Sequence, residues 1–182
     1  MTISRWNLDP THSGIHFSVR HMVIAKVRGR FDAFRGTLEL DPNDLATAKV
    51  DVEIDASSID TGVADRDAHL RSADFFDVES FPTARFLGAR MESVGGDRYR
   101  LHGTLTIRDV TRDVTLDVEH LGASKDPWGN DRVAFAGSVS LDRRDFGLKW
   151  NQALEAGGVL VGERVDLELE VQAVAAAAEV AA

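Results

Sequence analysis

The chain has 182 residues and a mass of 19.9 kDa, which is long enough for one domain with a sizeable core and short for two. Hydrophobic residues make up 43% and charged residues 28%, a composition typical of soluble globular proteins that excludes collagen-like and strongly disordered classes. We therefore predict a single domain over residues 1–182, with a core from about 6 to 174 and an Ala-rich tail over 175–182.

The charged residues are mostly acidic, with 21 Lys and Arg against 30 Asp and Glu and a formal net charge of -9. Such a chain repels a phosphate backbone, so no nucleic-acid partner is expected. The absence of cysteine excludes disulfides, thiolate nucleophiles and Cys-type zinc sites. The longest apolar run, 173–178, is too short to cross a bilayer. Since the first ten residues also lack a signal segment, we expect a cytoplasmic protein, or a periplasmic or secreted one if a leader was removed.

Apolar and polar residues alternate along most of the chain, and a period of two predicts strands with one buried and one solvated face. The first run places Ile15, Phe17 and Val19 on one side. A longer segment, 27–40, is predicted as one or two strands interrupted at its glycines. Further runs follow over residues 49–55, 98–107, 114–118, 133–141 and 165–171.

One helix is predicted between these strands, as a crossover over residues 61–76. Val63 and Leu70 can share an apolar stripe there, and Asp60 or Thr61 can cap its start. The Ala-rich stretch after residue 173 permits a helix but lacks an amphipathic pattern, so we interpret it as a frayed end or a short appendage.

Strands that are apolar on one face must either stack as two sheets or close on themselves. The sequence therefore predicts an all-β fold, an antiparallel barrel of about eight strands with one short helix. Gly103 and Gly137 fall on the apolar faces of their strands. Two interpretations are open: the missing side chains leave room for a guest inside the barrel, or the glycines mark bulges and barrel corners.

Four segments resemble the YceI family, in the same order along the chain: 12–21 (HSGIHFSVRH), 70–77 (LRSADFFD) followed by Phe81-Pro82, 105–111 (LTIRDVT) and 144–147 (RDFG). The resemblance extends from about Trp6 to about Val174. It implies a bacterial, lipocalin-like barrel whose apolar channel holds a long lipid, a polyisoprenoid chain, its phosphate or a related amphiphile. Many members of the family look like secreted periplasmic proteins, and this sequence departs from them in showing no leader.

The inward faces of the strands supply the side chains that we expect, as a set, to line such a channel; plain core packing is the alternative for each of them taken singly. They are Phe17, Val19, Phe31, Phe34, Val52, Ile54, Phe86, Leu101, Leu105, Leu116, Phe135 and Val139.

A charged head group would need donors at the channel mouth. The candidates are His21, Arg66, His69 and Arg71. The alternative is a solvated or ion-paired loop, with Arg66 or Arg71 paired to a neighbouring aspartate. The sequence also leaves open whether Trp150 and Asn151 line the far end of the channel or only fix a strand.

Three functional hypotheses follow. The first is non-enzymatic binding, transport or storage of a long-chain isoprenoid or similar lipid, with no catalytic residue, no cofactor and no metal, since the sequence shows no familiar nucleotide, hydrolase or metalloprotease motif. The second is an enzyme acting on an isoprenoid-like substrate in the same barrel, with His21 or His69 as acid or base. The third is a filled barrel that binds a protein partner, such as a second copy in a homodimer.

Overall fold

The fold is that of a computed structural model that describes residues 2–177. It is built almost entirely from antiparallel strands, with two short 3-10 helices at 56–58 and 143–146 and one α-helix, α1 (Ala64–Arg71). The strands are β1 (Ser4–Leu8), β2 (Gly14–His21), β3 (Ala25–Phe31), β4 (Phe34–Asp41), β5 (Asp44–Asp55), β6 (Ile59–Asp60), β7 (Thr83–Gly95), β8 (Arg98–Ile107), β9 (Val110–Lys125), β10 (Asp131–Asp142) and β11 (Val161–Ala175).

Eight of these strands form a closed ring in the order β1-β4-β5-β7-β8-β9-β10-β11 and back to β1. Every pairing in the ring is antiparallel, and the pairing of β1 with β11 closes it. Closure leaves no free sheet edge within the ring and encloses the apolar faces that the alternation predicts. The predicted fold class, a lipocalin-like antiparallel barrel of about eight strands with a single short helix, is confirmed.

Strands β2, β3 and β6 extend the sheet beyond the ring. The first part of β11 pairs with β2, and its last residues pair with β1, so one long strand holds two neighbours in succession along the same edge. Strand β3 pairs with β2 along its whole length but with β6 only at Arg30 and Phe31. The β2–β3 hairpin therefore lies along β11, and its turn, residues 22–24, is at the end of the barrel where β11 begins.

The closed end of the barrel is defined here by Trp6, Leu40, Val133 and Ala173, whose side chains are 0 to 4% exposed. They come from β1, β4, β10 and β11, where the ring closes. Because these residues come from neighbouring strands and belong to one buried cluster, this end is packed like the interior of an ordinary globular protein.

The open end is defined here by the ends of β2 and β10 and the starts of β3 and β11. Inward-facing residues at this end are only half-buried, as at Val19, Leu141 and Val165. Helix α1 and the segment after it cover part of this end: Phe76 packs edge-on against Phe31 with ring centres 5.7 Å apart, and Phe75 packs on Trp150 at 5.5 Å.

Among residues 2–177, no helix has the length and hydropathy needed to cross a membrane.

Several sequence-based boundaries are wrong. The segment 27–40 is divided into two strands at residues 32 and 33 and not at its glycines. Gly29 lies within β3, where the ring of Phe17 packs against it. Helix α1 is shorter than 61–76 and begins after Val63 without a side-chain cap, since Asp67 instead accepts hydrogen bonds from the backbone and hydroxyl of Thr61.

The C-terminal alanines are also placed differently. Residues 173–175 belong to β11, and Ala173 is fully buried. The remainder of the predicted tail, 178–182, lies outside the described residues.

Candidate functional site

The barrel encloses an apolar cavity of about 250 Å³. Its wall is formed by aliphatic and aromatic residues from every strand of the ring, from β2 and β3, and from the cover at the open end. Apolar cavities on the order of 150 Å³ stay dry and take up small apolar molecules. A cavity of this size and lining therefore favours an apolar guest over water.

The cavity is long relative to its volume. Along β11 alone, wall residues run from Val161 at the open end to Val171 near the closed end, about 33 Å of strand at 3.3 Å per residue. Strands in such barrels tilt by about 40°, so the wall spans about 25 Å along the barrel axis. A volume of about 250 Å³ spread over this length makes a narrow channel, whose shape suits a chain better than a compact molecule.

Eleven of the twelve side chains that the sequence places in the channel lie on its wall: Phe17, Val19, Phe31, Val52, Ile54, Phe86, Leu101, Leu105, Leu116, Phe135 and Val139. Phe34 does not. It is inward-facing but packs against a second buried cluster formed by Ile15, Phe31 and Ile59, which themselves line the cavity. Whether the eleven contact a ligand stays a prediction.

The two inward glycines have different roles. A Cβ on Gly103 would lie 2.2 Å from the carbonyl oxygen of Leu87, so this glycine allows two strand backbones to approach closely. A Cβ on Gly137 would come no closer than 3.3 Å to another atom, the nearest being in the side chain of Leu169, and Gly137 lies on the cavity wall. The interpretation as room for a guest thus fits Gly137, whereas Gly103 is a structural close approach.

Arg143 is the one charged residue among the wall residues that the structure describes, and the sequence analysis missed it. Its side chain is 6% exposed. The guanidinium donates to the backbone carbonyls of Leu148 (2.6 Å), Trp150 (2.9 Å), Gly162 (2.8 Å) and Val161 (3.3 Å). Burial lowers its pKa. Because these carbonyls use most of its five N–H groups, Arg143 fixes the loop 147–160 and the start of β11.

The four candidate head-group residues do not form one site, and the structure places none of them on the cavity wall. Arg66 donates to the hydroxyl and carbonyl oxygens of Thr61. Arg71 donates to the carbonyls of Ser57 and Ile59, which fastens α1 to the preceding segment. These internal hydrogen bonds replace the ion pairs that the sequence left open.

The two histidines among the candidates are also separated. His69 contacts the carboxylate of Asp74 through Nε2 at 2.8 Å and lies edge-on to Trp150, with ring centres 4.5 Å apart. His21 continues the inward-facing positions of β2 and pairs with Val161 at the rim of the open end. Residues 15 and 21 are separated by about 20 Å of strand, and α1 lies beside the Ile15 end, so His21 is remote from the other three candidates.

The loop after Arg143 shows which role Trp150 and Asn151 take. Asn151 accepts from the backbone N–H of Val161 at 3.0 Å and donates to its carbonyl at 2.7 Å, so it fixes the start of β11. Trp150 packs against His69 and Phe75 as part of the cover. Neither residue is on the cavity wall.

Leu8 of β1 and, in β7, Ala84 and Met91 are wall residues that the sequence analysis did not predict, and the reason is local. Strand β1 is too short to show an alternation. In β7 the register shifts between Gly88 and Arg90, so the inward face moves from Phe86 to Met91 and the period of two is lost. Only the resemblance at 144–147 pointed toward the segment that contains Arg143.

Together, fold and cavity define the protein as a lipocalin-like closed β-barrel with an internal apolar channel. The model of the YceI-like domain matches residues 6–173, nearly the whole described chain. The chain therefore belongs to the YceI-like domain family, and the predicted resemblance is confirmed.

Known proteins agree with this assignment. A UPF0312 protein of Vibrio cholerae is 36% identical over 163 residues, covering 90% of this chain and 82% of the relative. Among solved structures, BcnA of Burkholderia cenocepacia superposes with a TM-score of 0.80 at 22% identity, covering 91% of this chain and 98% of that one. A polyisoprenoid binding domain from Saccharophagus degradans, implicated in plant cell wall breakdown, has a TM-score of 0.70 at 18% identity over 96% and 100% of the two chains. At these identities the two structures show a shared fold.

Proposed function

We propose that this protein binds a long-chain isoprenoid or a similar amphiphilic lipid in its channel and carries or stores it without chemical change. The observation that supports this most is the shape of the cavity, a narrow apolar channel about 25 Å long by strand geometry. Membership of the YceI-like family and the shared fold of the Saccharophagus degradans polyisoprenoid binding domain favour the same class of ligand.

The energetics of burial allow such binding with few polar contacts. Each buried methylene contributes about 0.8 kcal/mol, so about twenty carbons contribute on the order of 16 kcal/mol. Association and ordering cost about 4 to 15 kcal/mol. The remainder is enough for useful affinity, and selectivity would then depend on channel length and width.

The composition of the wall supports a binding role over a catalytic one. General acid–base chemistry needs a titratable group within hydrogen-bond reach of the reacting atom. Neither His21 nor His69 is on the wall, and the charged group that is, Arg143, donates to backbone carbonyls. The described wall residues can therefore make apolar contacts with a ligand but supply no evident general acid or base.

The decisive experiment is native mass spectrometry of protein purified from its own host, followed by denaturation and organic extraction. We expect one lipid per chain, released on unfolding. Gly137→Leu places four extra carbons in the channel and should abolish the lipid peak, provided that urea unfolding shows the variant to be folded. Ser138→Leu is the matched control, because this neighbour is exposed on the outer face of the same strand, and it should retain the lipid. Protein without lipid, or equal lipid in Gly137→Leu, would contradict the proposal.

A further inference from the structure

The tip of the β2–β3 hairpin carries three adjacent apolar side chains into solvent. Met22, Val23 and Ile24 are 45%, 64% and 82% exposed. Single exposed apolar residues are ordinary on protein surfaces, but three in succession at one turn are not. Val159, in the adjoining loop, is also exposed and extends this apolar surface. Residues 22–24 form the hairpin tip.

The backbone of the hairpin tip makes these residue types more unusual. Met22 and Val23 have φ angles of 52° and 67°, in the left-handed region that Gly and Asn adopt at least cost. A β-branched residue there is an outlier. The turn thus carries Met22 and Val23 where Gly or Asn would cost less on folding. Such strained positions are typical of sites that make a functional contact, here one outside the domain.

A basic surface adjoins the hairpin tip in a protein that is acidic overall. No carboxylate occurs between Asp9 and Asp32, whereas Arg20, Lys26 and Arg28 lie there on the outer face of the hairpin. All three are exposed. Within residues 2–177, none of the three has a carboxylate oxygen within ion-pair distance.

Two of these charges directly oppose each other. Arg20 and Lys26 are cross-strand partners in the β2–β3 ladder, and like charges in that arrangement destabilise a hairpin. The pairing is therefore unfavourable for the isolated fold and becomes favourable beside a negatively charged surface. Apolar residues at the tip, flanked by basic residues on the two adjoining strands, are the pattern typical of an interfacial membrane contact.

The hairpin tip also lies beside the mouth of the channel. His21, at the end of β2, pairs with Val161, which is on the cavity wall, and the amide of Met22 donates to the carbonyl of Leu160 at 2.9 Å. Half-exposed wall residues such as Val19 and Val165 lead from this point into the barrel. A surface that receives the tip would therefore face the open end.

We propose that the hairpin tip is a docking surface for an anionic lipid bilayer, in which residues 22–24 enter the interface and Arg20, Lys26 and Arg28 contact the head groups. Docking in this orientation brings the channel mouth to the membrane, from which a lipid can enter without crossing water. The purpose of docking rests on the proposed function, but docking itself does not, since it is measured on the protein irrespective of what the channel contains.

The test is co-sedimentation of the whole protein with vesicles of phosphatidylcholine alone and of phosphatidylcholine mixed with phosphatidylglycerol. We expect binding to the mixed vesicles that weakens with added salt. Ile24→Ser should weaken it at least about tenfold, and each of Arg20→Gln, Lys26→Gln and Arg28→Gln about fivefold. Trp128→Ser is the matched control, because Trp128 is equally exposed, at 82%, in the β9–β10 turn at the opposite end of the barrel.

Unchanged binding in Trp128→Ser, with loss in Ile24→Ser, supports the proposal. Equal loss in both variants, no binding of the wild type to mixed vesicles, or binding insensitive to the three basic residues overturns it. A wild-type dimer in solution that Ile24→Ser converts to a monomer also overturns it, since the tip would then bind a second copy. Urea unfolding of each variant identifies any loss that arises from misfolding.

Discussion

The closed end and the open end are built from the same strands and differ in what fills the space between them. At the closed end, Trp6 and Leu40 come from neighbouring strands and belong to one buried cluster. Along the rest of the barrel the wall includes small residues such as Ala84 and Gly137 beside large ones, and the channel lies between them. One alternating pattern thus produces both a packed core and a cavity. The difference indicates that the closed end contributes mainly to the stability of the fold and the open end mainly to binding.

The largest effect expected from this division is in a matched pair of leucines. Leu40→Ala removes a fully buried side chain at the closed end and should lower the free energy of unfolding by about 3 kcal/mol, because the packed surroundings cannot collapse into the gap. Leu141→Ala removes a half-buried side chain that already borders the cavity and should cost about 1 kcal/mol. Urea unfolding measures both, and equal losses would show that the ends do not differ in packing.

A second pair compares neighbouring arginines at the open end. Arg143→Met leaves four backbone carbonyls without their donor and should cost about 2 kcal/mol. It should also speed amide hydrogen exchange at Val161 and Leu160. Arg144, an exposed residue paired with Asp142 and Glu163, is the control, and Arg144→Met should cost less than about 1 kcal/mol. Unchanged exchange in Arg143→Met would mean that the loop 147–160 does not depend on this side chain.

The effect expected to be smallest for each side chain involved is a pH dependence at the closed end. There Arg132 joins Asp9 at 2.8 Å and Asp126 at 2.9 Å. Hydrogen bonds from Thr11 and Arg132 hold the pKa of Asp9 well below its usual value. For Asp126, burial opposes the shift, but hydrogen bonds from Asn130 and Arg132 outweigh it and the pKa is again lowered.

Depressed carboxylate pKa values stabilise the fold above the unfolded-state pKa of about 3.9, and that stability is lost as the pH falls through the folded-state values. The free energy of unfolding should therefore decrease from about pH 6 to about pH 3, by about 1 kcal/mol for each of the two carboxylates. Arg132→Met should flatten this dependence. A wild-type protein equally stable at both pH values would exclude a contribution from this cluster.

The sequence predicts the fold well where strands alternate without interruption, and β8 matches its predicted bounds of 98–107. It fails where the backbone departs from a regular ladder. The register shift in β7 hides that strand, and the break at residues 32 and 33 depends on hydrogen bonds from Asp32 to Ser58 and from Asp55 to Ala33. Such long-range contacts leave no periodic signal in the chain.

The candidate site divides in the same way. Inward-facing residues such as Phe17 and Val139 follow from the alternation and lie on the wall. Arg143 and the head-group candidates do not follow from it, because the role of a charged side chain depends on which acceptors the folded loops bring to it. Arg71 illustrates this, since the carbonyls that it contacts belong to residues 57 and 59, which the sequence gives no reason to place beside it.

The pairing of the first strand with the last also determines how the molecule must form. Trp6 pairs with Ala175, so the barrel stays an open sheet until residue 175 has left the ribosome. Folds dominated by such distant contacts assemble slowly and expose apolar strands meanwhile. The channel therefore comes into existence in the last step of folding, when β11 joins β1.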